Sequence, residues 1–221
     1  MSDELEYVAL APGVTRDDFV RAVTELGWIH ERTGEGRLRN YEQVWATPEG
    51  CAYVKYGHSE YGTVRARYVE DPRLGSSYLC LRGDGVVSAV RALQKRLDGV
   101  FLEDEAVEEV FEAQGDEERL TALAMLAVTS SRGNVVLSSA LEVALRSPRA
   151  EVRGAAVGLM GLRCYPEHLG LLEAAAERDP SEAVRRRALA VLPHVRNRAR
   201  GEEEAWGAQA PPHHSGEDFS F

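Results

Sequence analysis

The residues of this chain that could do chemistry are arginines and aromatics rather than nucleophiles, acid–base pairs or metal ligands. Arg186, Arg187, Arg196 and Arg198 crowd one C-terminal stretch. Guanidinium forks at that density suit phosphate or carboxylate groups. The plainer reading is a solvated end face screened by the acidic residues that follow. Upstream, Trp45, Tyr53 and Tyr56 lie close in sequence to Arg65 and Arg67, with Tyr41, Tyr61 and Tyr68 nearby. Aromatics interleaved with arginine are what protein interfaces favour. Gly83-Asp84-Gly85 sits between a strand and a helix, as a phosphate loop would, but Ser88 stands where a third glycine belongs and Asp84 would repel an anion. A tight turn is the expectation there. His30-Glu31 and His213-His214 lack the further ligands a metal needs. No G-x-S-x-G, H-E-x-x-H or Walker-type loop occurs. The expectation is a chain with no catalytic constellation, cofactor or metal.

The elements that must position these residues follow from periodicity. Leu5–Leu10 reads as a strand, and Thr15 with Asp18 as a capping box opening a helix that Gly27 closes. Trp28–Asn40 reads as a strand running into a loop. Tyr41–Thr47, Cys51–Gly57, Thr63–Glu70 and Ser77–Arg82 read as further strands, and Val86, Val90, Leu93 and Leu97 mark a second helix. Together these form an α+β domain over 1–98, an antiparallel sheet with two helices on one side. From Leu102 the period is helical only. Leu102–Ala113 is an acidic helix with Val107, Val110 and Phe111 inward, followed by Glu117–Ser130 and Asn134–Arg146. The helical region is set at 99–200. Beyond it, 201–221 is expected to be a disordered acidic tail.

Charge follows the same segments. The net charge is −10, yet 119–200 carries 13 basic and seven acidic groups while 201–221 carries five acidic and no Lys or Arg. Whole-chain charge is therefore a poor guide to partners. Cys51, Cys80 and Cys164 are too few and too scattered for a disulfide framework or zinc knuckle, which argues for a reducing compartment. No apolar run approaches the ~20 residues of a membrane span, and the acidic Met1-Ser2-Asp3-Glu4 start is unlike a signal peptide. The expectation is a cytoplasmic protein without a membrane partner.

The helical region is periodic. Val152 and Val184, Arg153 and Arg185, Ala156 and Ala188, and Leu159 and Val191 superpose at a spacing of 32. A further copy around Arg119, Ala122 and Leu123 lies 34 residues upstream. A fixed period of this size means stacked supersecondary units. On Glu151-Val152-Arg153, Ala155-Ala156, Leu159, Gly161, Pro166-Glu167, Leu171-Leu172 and Asp179-Pro180, residues 115–195 resemble HEAT repeats of the short phycobilisome-lyase-like kind. The resemblance implies an all-α helical repeat stack. It also implies that Arg153 and Arg185 pair with an acidic residue at a repeat start. Bilin lyases of that family are longer and wholly helical, so the resemblance implies a fold rather than lyase chemistry. Separately, Glu49–Tyr56 resembles the strand signature of RNA-recognition motifs, but Glu49 and Cys51 replace a basic and a stacking residue, so hairpin packing is the expectation.

The reading of function is a non-catalytic protein-binding or adaptor module, for example a bacterial regulatory or immunity-type protein. Its partner would meet the aromatic sheet or the concave helical face. The second reading is nucleic-acid binding by the arginine-rich repeat face, which the net negative charge opposes.

Overall fold

The computed structural model describes residues 5–35, 41–46, 64–71, 76–130 and 134–199. The tail 201–221, the strand read at Cys51–Gly57, and Tyr53 and Tyr56 lie outside them. Two compact units divide between Ala106 and Val107.

The first unit is built on β1 (Leu5–Leu10), β2 (Ile29–Glu35), β3 (Tyr41–Ala46), β4 (Arg65–Asp71), β5 (Ser76–Arg82) and β6 (Val100–Phe101), with helices α1 (Arg16–Glu25) and α2 (Val86–Gln94). The strand order is β2-β3-β4-β5-β1-β6, and every pairing is antiparallel. The last strand departs from the sequence reading, which began the helical region at residue 99. Two residues are too short to show alternation, but they pair with Ala9 and Leu10 at the edge of the sheet.

Side chains alternate across a strand, and one row set packs under both helices. Val8, Leu10, Ala66, Tyr68, Leu79 and Leu81 meet Phe19 and Val23 of α1 and Val86, Val90 and Leu93 of α2. Phe19 stacks on Tyr68 with ring centroids 4.7 Å apart, an arrangement that adds to the value of burying both rings. The Tyr68 hydroxyl donates to Glu70 and accepts from the Ser77 hydroxyl, and burial pushes its pKa up to about 12. Arg16 at the start of α1 makes a two-pronged bond to Glu70 at 2.8 and 2.7 Å, locking α1 onto β4. Thr15 and Asp18 form the expected capping box, and Gly27 takes φ 73 beyond the helix end. Gly83-Asp84-Gly85 is a turn into α2, with Gly85 at φ 85. The opposite rows, including Tyr7, Ala9, Arg67, Val69, Tyr78 and Cys80, are buried too.

The second unit is helical: α4 (Asp116–Thr129), α5 (Val135–Leu145), α6 (Ala150–Arg163), a 3-10 turn at Pro166–His168, α7 (Leu169–Arg178) and α8 (Glu182–Ala199). A preceding helix, α3 (Glu103–Glu112), spans the division between units. Phe111 of α3 was expected to face inward but is 75% exposed, while Val107 and Val110 are half-buried. The acidic residues leave α3 too narrow an apolar stripe to bury all three.

Helices α4, α6 and α8 pack side by side as one layer, with α5 on α4 and α6, and α7 on α8. This is repeat-like packing, an α-solenoid-like stack. Gly161 permits the close approach of α8, since a Cβ there would lie 2.9 Å from Val191 Cγ2. Ala156 of α6 and Ala188 of α8 are fully buried. Among the described residues no helix is long and apolar enough to cross a membrane.

Candidate docking site in the helical unit

The repeat places a buried ion pair, Arg153–Asp179, where one cycle meets the next. Arg153 Nε and Nη2 donate to the two carboxylate oxygens of Asp179 at 2.8 and 3.0 Å. Its Nη1 donates to the carbonyls of Ser147 and Pro148 at 2.8 and 3.0 Å. Asp179 also accepts from the Ser181 N–H at 2.8 Å, which fixes the entry into α8. The Arg153 guanidinium holds the Asp179 carboxyl below the usual carboxylate range. Thirty-two residues on, Arg185 Nη1 donates to the carbonyl of Asp179 at 2.6 Å, the same bond that Arg153 makes to Ser147. The two repeats thus share this one hydrogen bond as well as their sequence pattern.

This pair lines a groove of about 520 Å³ between α5 and α7, whose walls are mainly Leu145, Pro148, Leu171 and Ala174. The groove exists because α5 and α7 barely touch, in contrast to the closed layer behind them. A smaller depression of about 290 Å³ lies across Ser147-Pro148, lined by Leu120, Val143 and Val152. Arg146 and Arg178 stand at the groove, with side chains 74% and 81% exposed. Among the described residues each pairs with an exposed carboxylate, Glu142 and Glu177 respectively.

A second polar cluster is internal. Arg163 and Tyr165 both donate to the Ser130 carbonyl, and Arg163 and Arg198 lie 5.9 and 5.8 Å from the Tyr165 ring centroid. His168 is buried, with Nε2 3.2 Å from Ser138 Oγ and, among the described residues, no hydrogen-bond partner on Nδ1. Burial lowers its pKa. Burial likewise pushes the Cys164 thiol up to about 12, so it stays protonated and a poor nucleophile.

The arginines singled out from sequence separate by role. Arg187 Nη1 crosses to the Gly154 carbonyl at 2.9 Å, Arg196 bonds Glu173 of α7 at 2.8 Å, and Arg198 donates to the Arg163 carbonyl at 3.2 Å. These three tie α8 to its neighbours. Arg186 is exposed and 3.7 Å from Glu182 one turn earlier.

The sheet residues separate too. Position 45 pairs in register with Ala66 of β4, whereas Arg65 and Arg67 belong to the rows opposite that of Ala66 and Leu81. Arg65 bonds Glu31 at 3.2 Å, and Arg67 is only 3% exposed. The groove residues were not singled out from sequence, because a gap between two helices leaves no periodic signal.

Among the described residues no group of three or more His, Cys, Asp or Glu is placed to hold a metal ion. Compared with known proteins, the chain matches no family model, no curated protein and no solved structure.

Proposed function

We propose that this chain is a non-catalytic adaptor whose short HEAT-like stack presents the α5–α7 groove to a segment of a protein partner. The observation that carries the reading is the opening between α5 and α7 over a closed layer of α4, α6 and α8. A concave, mainly apolar surface with exposed arginines at its edge suits a peptide that brings both apolar and acidic side chains. The Arg153–Asp179 pair beneath it holds the walls in place, so little ordering cost is left for binding. The Arg153–Asp179 pair is of the kind that the resemblance to HEAT repeats implies, whereas Arg185 repeats only the bond to a backbone carbonyl. The buried thiol of Cys164 suits a reducing, cytoplasmic setting.

Nucleic-acid binding through Arg186, Arg187, Arg196 and Arg198 has less support, since three of the four spend donors inside the stack. A photo-reactive amino acid at Ala174, in the groove, should capture a protein partner in host extract. The same residue at Ala190, on the exposed side of α8, should not. Equal capture at both positions, or capture at 190 alone, would overturn the assignment. Duplex binding that falls steeply with salt and is lost on Arg186→Glu would favour the nucleic-acid reading instead.

A further inference from the structure

We propose that Glu217-Asp218-Phe219-Ser220-Phe221 of the same chain occupies the α5–α7 groove and competes there with external partners. This rests on the groove being a docking site and names its resident occupant.

Charge is the first argument. Ion-paired arginine side chains of the helical unit that are more than half exposed are Arg146, Arg149, Arg178 and Arg186. Arg146 and Arg178 line the groove, and Arg149 follows the Ser147-Pro148 that lines it. Their present partners are Glu142, Asp116 and Glu177, and such surface pairs exchange at little cost. Residues 201–221 carry five acidic groups and no Lys or Arg. The other acidic stretch of the chain, 99–118, is already committed to β6, α3 and the first turn of α4.

Shape is the second argument. The groove walls are aliphatic, and the segment sets two phenylalanines directly beside its two carboxylates. Aromatic anchors in an apolar pocket with acids on an arginine edge satisfy both parts of the site.

Reach is the third, and it selects among the aromatics. Pro180 lines the groove and α8 begins at Glu182, so the helix starts beside the site. Its 18 residues carry the chain roughly 27 Å away at ~1.5 Å each. Trp206, seven residues past Ala199, extends at most ~25 Å and would return only with its chain fully stretched. Phe219, twenty residues past Ala199, spans up to ~70 Å and returns with slack. A tether of that length holds its end at an effective concentration on the order of millimolar, so even weak docking is well populated.

The test uses the full-length chain and its Phe219→Ser/Phe221→Ser variant, with a synthetic peptide of residues 214–221 as probe. The Leu145, Leu171 and Ala174 methyl resonances should move in the variant and return when the peptide is added. The variant should bind the peptide about five-fold or more tighter than the parent chain, because the tethered competitor is gone. Arg178→Glu added to the variant should weaken that binding. Methyl resonances unchanged by the substitution would overturn the proposal. If the peptide then bound both chains equally and lost affinity with Arg178→Glu, the groove would remain a docking site and only its resident occupant would be wrong. If the peptide bound neither chain, this segment's chemistry would be excluded. Photo-capture at position 174 separately decides whether the groove serves external partners.

Discussion

Arg153 and Asp179 show how a repeat period becomes energy at the scale of single residues. Their side chains are 8% and 5% exposed, so removing one leaves the other buried and under-satisfied. Asp179→Ala should destabilise by about 2–3 kcal/mol, the worth of charged hydrogen bonds at a site bordering solvent. A urea midpoint unmoved by this change would refute the clamp. Asp179 has a depressed carboxyl, so its stabilisation is complete above the unfolded value near ~4 and is lost as pH falls below it. His168 acts earlier. Its folded pKa lies below the unfolded value of ~6.5, so stability is full above that pH and declines as the solution is acidified from there. Unfolding free energies from urea titrations between pH 7 and 2 should first fall by at most about 1.4 kcal/mol per pH unit from this group. His168→Gln should remove that first phase while leaving the Asp179 phase in place. That Arg153 serves the repeat was legible in sequence, because an equivalent arginine recurs 32 residues on, while its pairing with an acid was what the resemblance to HEAT repeats implied. The buried His168 was not, since its Ser138 partner lies 30 residues away on another helix.

At the scale of elements, the α6–α8 seam depends on small residues, and two glycines make opposite forecasts. Gly161→Ala gains helix propensity but drives a methyl into Val191, for a net loss of about 1 kcal/mol. Gly170 of α7 has nothing within 4 Å of an added Cβ, so Gly170→Ala should stabilise by about 0.5–1 kcal/mol. Melting curves of the two variants should shift in opposite directions. Helices α4 to α8 were legible from 3.6-residue periodicity and caps, such as Asn134 accepting from the Leu137 N–H. The sheet was legible as strands but not as faces. Alternation orders Val64, Ala66 and Tyr68 within one strand. Whether position 45 shares their side depends on register, which the intervening residues set and periodicity does not report. The two-residue β6 was hidden for a different reason, since its strand character comes wholly from pairing with β1.

For the whole molecule, each compact unit carries its own core. The sheet, α1 and α2 close over Phe19 and Tyr68, and the helical unit closes over residues such as Leu123, Met160 and Leu172. Phe19→Ala should cost about 3–5 kcal/mol and lower amide-exchange protection across β1, β4 and β5 while sparing α6 and α8. Leu172→Ala should do the reverse. Equal loss of protection in both units from either change would show one cooperative body instead. Whole-chain composition could not reveal this division, because α3 runs through it with unbroken helical periodicity.

The two equivalent arginines differ in one respect. Arg153 is held by a backbone carbonyl before it and by a carboxylate from the following layer, whereas among the described residues Arg185 has only the carbonyl. One half of the next joint is therefore already built. A gene in which the 32-residue cycle is duplicated in tandem would supply the missing acid with no redesign of the existing helices. The architecture can lengthen by copying itself, and each added cycle would arrive with its own attachment point.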